Sequence, residues 1–156
     1  MRDNIKTISL RDIHIIKPLW EGLNAQHCTG SDGFKTHYAA QTFEMRCKKI
    51  LSLAEDCVHI DVLISDAGEP KGYCVCTVDG TTGELDSLYL LPEYRGKSFG
   101  QQLAQRGISW MRSKGCTDII VTVADGNEHV FPFYEKQGFK VRKTVLQIPK
   151  SVPEDV

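Results

Sequence analysis

The chain has no Cys-x-x-Cys pair, although it holds six cysteines at Cys28, Cys47, Cys57, Cys74, Cys76 and Cys116. No Cys/His set has the spacing of a zinc finger, so a structural metal ribbon and a thioredoxin-type redox centre are excluded, and no metal site is expected. Cys74 and Cys76 stand two apart in an apolar run and point to one face of a strand. That fits reduced thiols packed as small hydrophobes, with a redox or metal pair as the alternative. The sequence also lacks an apolar run of membrane-spanning length, and its start, Met1 to Lys6, lacks the apolar stretch of a signal peptide. A cytoplasmic protein without a membrane partner is the expectation. An excess of one charge sign is missing too. The net charge of −1 gives no basic field that would gather nucleic acid, and only Arg95 and Lys97 form a local cationic spot. Internal repeats and low-complexity linkers are absent.

What is present is ordinary for one globular domain: 156 residues, 41% hydrophobic and 25% charged. A core of that size stands without disulfides. Ile5–Leu10 reads as a strand. Ile13, Ile16, Leu19, Trp20 and Leu23 have helical spacing over Asp12–Leu23. Asn24–Thr36, rich in Gly, Ser, Asp and Thr, reads as a loop. A second stripe, Ala40, Phe43, Cys47, Ile50, Leu51 and Ala54, predicts a helix over His37–Leu53. Strands follow at Val58–Ser65, Gly72–Val78 and Glu84–Leu91, with an Asp79-Gly80 hairpin start between the last two. Ser98–Lys114 is helical, with capping-box spacing between Ser98 and Gln101 and with Gly115 as its stop. Asp118–Val123 is an apolar strand of the kind covered on both faces. Asn127–Gln137 is a short helix interrupted near its start by Pro132, and Phe139–Ile148 reads as a last strand. The order β-α-α-β-β-β-α-β-α-β implies an α/β fold with a mixed sheet: an antiparallel core and a parallel pair joined by the long helix. One domain over residues 1–149 is expected, followed by a frayed tail at 150–156.

The chemistry concentrates after the strand ending Leu88-Tyr89-Leu90. The loop Arg95-Gly96-Lys97-Ser98-Phe99-Gly100 runs into a helix, and backbone N–H groups at a helix start attract a phosphate. Gly96-Lys97-Ser98 looks like the end of a Walker A loop, but that motif requires Gly at position 91, which is Leu91. The loop instead resembles the acyl-CoA signature Arg/Gln-x-x-Gly-x-Gly/Ala of the GCN5-related N-acetyltransferases. Ser98 stands where that pattern has glycine; its N–H serves as well, but a serine is a poor residue for positive φ. Downstream, Asn127 is followed seven residues later by Tyr134-Glu135-Lys136-Gln137-Gly138-Phe139, which resembles the second signature of the same family.

The resemblance covers nearly the whole chain and implies an acetyl-CoA-dependent N-acetyltransferase acting on a primary amine. It implies that the backbone of Arg95, Gly96, Lys97, Ser98, Phe99, Gly100 and Gln101 holds the coenzyme A diphosphate. It implies that Leu88, Tyr89 and Leu90 pair with the pantetheine arm like an added strand. Asn127 bonds the pantetheine or caps its own helix. Tyr134 matches the tyrosine that protonates the departing thiolate. Glu84, eleven residues before Arg95, matches a general-base glutamate, and Asp86 lies two residues on, on the same strand face. The alternatives are a solvent-facing acidic strand end for Glu84 and a core tyrosine for Tyr134. At the level of the whole protein, the alternatives are a non-catalytic acyl-CoA sensor and a partner-binding module. Edge strands in such domains pair between protomers, so a homodimer is compatible with the resemblance.

Overall fold

A computed structural model describes residues 4–150. Five strands form one sheet in the order β1-β2-β3-β4-β5: β1 Asn4–Ile8, β2 Val58–Ile64, β3 Pro70–Asp79, β4 Thr82–Leu90 and β5 Asp118–Val121. The first four pair antiparallel in sequence order, while β4 and β5 run parallel. A parallel pair needs a crossover, and α4, Phe99–Ser113, supplies it. Its inward residues Leu103, Ala104, Gly107, Ile108 and Met111 are buried against Cys74, Cys76 and Leu85. The opposite face of the sheet is covered by α1, Lys17–Gly30, and α3, Phe43–Leu51, whose Leu19, Phe43, Cys47 and Ile50 pack on Ile60, Val62, Tyr73 and Val75. The sheet is thus sandwiched between two apolar clusters.

A buried carboxylate fastens α4 to the sheet. Asp61 on β2 is 1% exposed and accepts from Thr7 Oγ1 at 2.7 Å, His59 Nε2 at 2.9 Å and Arg106 Nε at 3.0 Å. Burial pushes its pKa up, but the hydrogen bonds from His59, Arg106 and Thr7 outweigh that and hold it well below the ordinary 3.8.

Several elements depart from the sequence expectation, among them the helix expected over Asp12–Leu23, which is a 3₁₀ helix at Leu10–Ile16 before α1 begins at Lys17. The loop expected at Asn24–Thr36 is helical up to Gly30, because the end of α1 is docked rather than free. Ser31 Oγ donates to Asp125 Oδ2 at 3.1 Å, Gln26 Nε2 donates to Asn127 Oδ1 at 3.2 Å, and Gly30 lies against Gly126. A Cβ on Gly126, whose φ is +85°, would stand 2.0 Å from the Gly30 carbonyl oxygen. The helix expected over His37–Leu53 is two, α2 Lys35–Ala39 and α3, because Thr42 stops the run and caps α3 by accepting from Met45 N at 3.2 Å. Leu51 is consequently exposed. The helix expected at Asn127–Gln137 opens as a 3₁₀ turn, Glu128–Val130, and becomes α5 at Phe131–Lys136, where Pro132 occupies the first turn.

The last strand, expected at Phe139–Ile148, does not form: residues 139–150 carry no regular structure. A strand exists by pairing, and among the described residues none lies alongside this one. β5 is therefore the sheet edge, and its Ile120 is 37% exposed rather than covered. The tail expected at 150–156 lies, apart from Lys150, outside the described residues.

Candidate active site

Parallel pairing of β4 and β5 runs from Thr82↔Asp118 to Leu85↔Val121 and then stops. β4 continues to Leu90, so Asp86–Leu90 present a backbone edge with no strand partner on the β5 side. β3 fixes the other edge. Its register places Val75 opposite Ser87 but Cys76 opposite Leu85, so Asp86 is the extra residue of a bulge. A bulge re-aims side chains. It breaks the simple alternation expected between Glu84 and Asp86, yet both carboxylates reach the same cleft.

That cleft has a volume of about 360 Å³. Glu84–Leu88 and Val121–Ala124 form its floor, and Trp20, Asn24 and His27 of α1 with His37 and Tyr38 of α2 form its wall. Asn127 and Tyr134 stand at its far side. Asp86 is engaged: Arg46 Nη2 donates to Oδ1 at 3.1 Å and Thr77 Oγ1 donates to Oδ2 at 2.5 Å. Among the described ion pairs, Glu84 has none. Burial, and then the neighbouring Asp86 charge, raise Glu84 above the usual carboxylate range against the pull of Arg46 and Lys49. Burial raises Asp86 too, against the hydrogen bonds from Thr77 and Arg46, so the two carboxylates differ in that Asp86 carries an ion pair and Glu84 does not.

Tyr134 packs on Phe133 and Phe139, with ring centroids 5.0 and 5.7 Å away, and belongs to the same core layer as Cys74 and Cys76. Burial pushes its phenol far above the ordinary value of 10.0, and Cys74 and Cys76 add to the shift. The ring is thus both a core side chain and a cleft side chain. Cys74 and Cys76 are free and buried, with Sγ atoms 3.8 Å apart, while Cys28 and Cys57 are half-buried. No group of three or more His, Cys, Asp or Glu stands together to hold a metal among the described residues. None of the described helices is long and apolar enough to cross a membrane.

Beyond β4, Pro92–Tyr94 form a 3₁₀ turn and α4 begins at Phe99. The first bond into α4 is Gln102 N to Ser98 O, and the amides of Gly96, Lys97, Ser98, Phe99, Gly100 and Gln101 find no acceptor among the described residues. Free amides at a helix start fit a diphosphate. The fold at Ser98 differs from expectation: its φ is +67°, the only left-handed residue besides glycine among those described. Together with Gly96 at φ +75°, it turns the amides outward. Ser98 does not cap the helix. Its Oγ accepts from Gln102 Nε2 at 3.2 Å, so the capping box with Gln101 is not made.

Arg95 is drawn away from the loop mouth. Its Nε donates to Leu90 O at 3.0 Å and its guanidinium lies 5.3 Å from the Tyr89 ring centroid. Lys97 lies 5.8 Å from the Tyr94 ring centroid. Asn127 makes no capping bond and spends its carbonyl on Gln26. Sequence reasoning missed Arg46, which lines the cleft, and Thr77 and Gln26, which bond the lining residues Asp86 and Asn127; nothing in their local sequence marks them.

The model of the Acetyltransferase (GNAT) family matches residues 23–139. Thialysine N-epsilon-acetyltransferase of Bos taurus is 29% identical over 86 residues, 49% of this chain and 51% of that protein. An acetyltransferase of Sodalis glossinidius is 32% identical over 89 residues, 57% of this chain and 63% of that protein. The chain thus spans little more than half the length of these relatives. Among solved structures, the PaiA N-acetyltransferase from Thermoplasma acidophilum in complex with coenzyme A superposes with a TM-score of 0.68 at 23% identity, over 93% of this chain and 94% of that one, which shows a shared fold. The family match runs from α1 through the opened strand pair and the amide loop to Phe139, and on that ground the chain belongs to the GNAT acetyltransferase family.

Proposed function

We propose that this protein transfers the acetyl group of acetyl-CoA to a primary amine. The observation that carries the reading is the opening of β4 from β5 after Leu85↔Val121, with Glu84 and Tyr134 in the one cleft it creates. The unpaired edge of Asp86–Leu90 suits an extended amide-bearing arm, and the free amides of Gly96 to Gln101 suit the diphosphate at its other end. A strand N–H near Leu88 to Leu90 would polarise the thioester carbonyl. Asn127 is placed to meet the arm once Gln26 releases it.

An amine arrives as ammonium and must lose a proton before it attacks. Glu84, raised by burial and unpaired, is the acceptor of that proton, directly or through a water. Tyr134, whose phenol burial raises further above its ordinary value, keeps its proton at neutral pH. Its O–H donates a hydrogen bond to the sulfur as charge develops there and stabilises the departing thiolate. The cleft joins Glu84 and Asp86 of its floor to the rings of Trp20, His27, His37 and Tyr38 of its wall, a lining that favours a cationic amine. All described cysteines are free, which fits a reducing, cytoplasmic compartment.

The test is release of CoA thiol from acetyl-CoA with a panel of lysine analogues, polyamines, amino sugars and peptides, run on the natural chain and on Tyr134→Phe. Loss of a hydrogen bond to a charged sulfur costs about 1.5–3 kcal/mol, so kcat should fall roughly 10- to 100-fold. Acetyl-CoA binding without thiol release for any amine would leave the sensor reading standing instead.

A further inference from the structure

The charges around the acceptor cleft are sorted by element. Glu84 and Asp86 stand on β4, while Arg46 and Lys49 stand three residues apart on one side of α3. Arg46 lines the cleft, and both cations pull the carboxyls of Glu84 and Asp86 downward, which puts them within electrostatic reach of those groups. The four charges cancel, with the acids on the strand and the bases on the helix. A ligand that carries both signs at separate ends complements such a lining. A ligand with a second ammonium in place of an anion would meet Arg46 and Lys49 unfavourably.

Arg46 has donors to spare. A guanidinium carries five N–H donors in a planar fork. Among the described residues only Nη2 is used, on Asp86 Oδ1 at 3.1 Å, and Thr77 Oγ1 takes the other carboxylate oxygen. The pair is therefore single rather than two-pronged, and the side chain of Arg46 stays 28% exposed. Lys49 is exposed and has no ion pair among the described residues. Along β4, Glu84 and Asp86 are anchored two positions apart, roughly 6–7 Å in a strand, and Arg46 stands against the second. An amine at Glu84 and an anion at Arg46 are thus several methylene groups apart.

We infer that the acceptor is a free amino acid with an amine at the end of its side chain. The amine lies at Glu84, and the carboxylate lies on the unused N–H groups of Arg46, with Lys49 at the rim. A carboxylate matches the planar fork of a guanidinium. A polyamine offers Arg46 no partner, and a lysine inside a peptide has no carboxylate to place there. The inference rests on the acetyl-transfer reading, whose acceptor class it names.

The test is titration calorimetry of lysine, lysinamide and cadaverine (lysine without its carboxylate) into the full chain in the presence of millimolar CoA. The natural chain is compared with Arg46→Gln and Arg46→Lys. Lysine should bind the natural chain roughly 10- to 100-fold tighter than lysinamide or cadaverine. Arg46→Gln should bring the three close to parity. Arg46→Lys keeps a cation beside Asp86 but loses the fork, so it should keep only part of the preference, and it reads the same loss if Arg46→Gln does not fold. Lysinamide or cadaverine binding as tightly as lysine overturns the inference. So does a preference that survives both substitutions, or no binding of any of the three. Thiol release from acetyl-CoA separates this inference from the reading beneath it. Release with cadaverine as the better acceptor keeps acetyl transfer and sinks the carboxylate site. Lysine-selective binding without thiol release from any amine sinks acetyl transfer and keeps the carboxylate site.

Discussion

Ser98 holds a conformation that its side chain disfavours, and the consequence for stability can be worked from the geometry. At φ +67° and ψ 3° it is left-handed, where a Cβ crowds the following carbonyl at a cost of roughly 1–2 kcal/mol. Ser98→Gly removes that strain. It also adds backbone freedom to the unfolded chain, worth roughly 0.5–1 kcal/mol in the opposite direction. The contact from Gln102 Nε2 to Ser98 Oγ is exposed and worth little. The net is a gain of about 0.5–1 kcal/mol, or roughly 1–4 °C in melting temperature for a chain of this length. Urea unfolding of the natural chain, Ser98→Gly and Ser98→Ala reads it, provided that the slopes agree. Ser98→Ala keeps the strained backbone and should be no more stable than the natural chain. If Ser98→Gly falls level with Ser98→Ala, the loop is not strained and the account of how its amides are aimed is wrong.

Other outcomes follow from the same geometry. Glu84→Gln should lower kcat/KM roughly 10²- to 10⁴-fold and remove the acid limb of the pH profile, which in the natural chain should lie above the usual carboxylate range. A carboxyl with a raised folded pKa contributes stability that is present at low pH and lost as pH rises through that value. The same substitution should therefore leave folding stability at neutral pH unchanged or higher, as denaturant titration would show. Asp61→Asn should behave oppositely and destabilise by about 1–3 kcal/mol, because it removes the buried carboxylate that accepts from Thr7, His59 and Arg106, while the partly exposed guanidinium of Arg106 keeps its water. In the natural chain Asp61 has a depressed pKa, so its contribution is complete above the ordinary 3.8 and is lost as pH falls below it. Acid unfolding should shift accordingly, and in Asp61→Asn stability should depend less on pH in that range.

The parts of the fold that rest on local pattern were readable. α4 could be read from Phe99, Leu103, Gly107 or Ile108, and Trp110 or Met111, because a single apolar stripe facing one sheet leaves its period in the sequence. The mixed sheet followed from element order, because the amide loop lies on the crossover between the parallel strands. What depends on distant partners was not readable. The last turns of α1 look like a loop in composition, and they are helical because Gly30, Ser31 and Gln26 dock on residues 125–127, about a hundred positions away. The segment 139–148 shows the limit from the other side: its residues favour a strand, but propensity supplies no neighbour to pair with. In the cleft, Glu84 and Tyr134 could be singled out from the family resemblance, and both line it. The ion pair of Arg46 with Asp86 could not, since that pair spans forty positions and a bulge. The left-handed turn at Ser98 was hidden for a related reason: the exit of β4 and the start of α4 impose it, against the preference of the residue.

The central claim is that the opened β4–β5 pair and the amide loop hold acetyl-CoA. Titration calorimetry of the full chain with acetyl-CoA and CoA, paired with thermal unfolding, tests it most directly. Saturable binding is expected, with a stabilisation of roughly 2.7 kcal/mol at a hundredfold excess over Kd, or about 5–10 °C in melting temperature. No heat and no thermal shift at millimolar acetyl-CoA would contradict it, because a chain that cannot hold the donor cannot transfer its acetyl group.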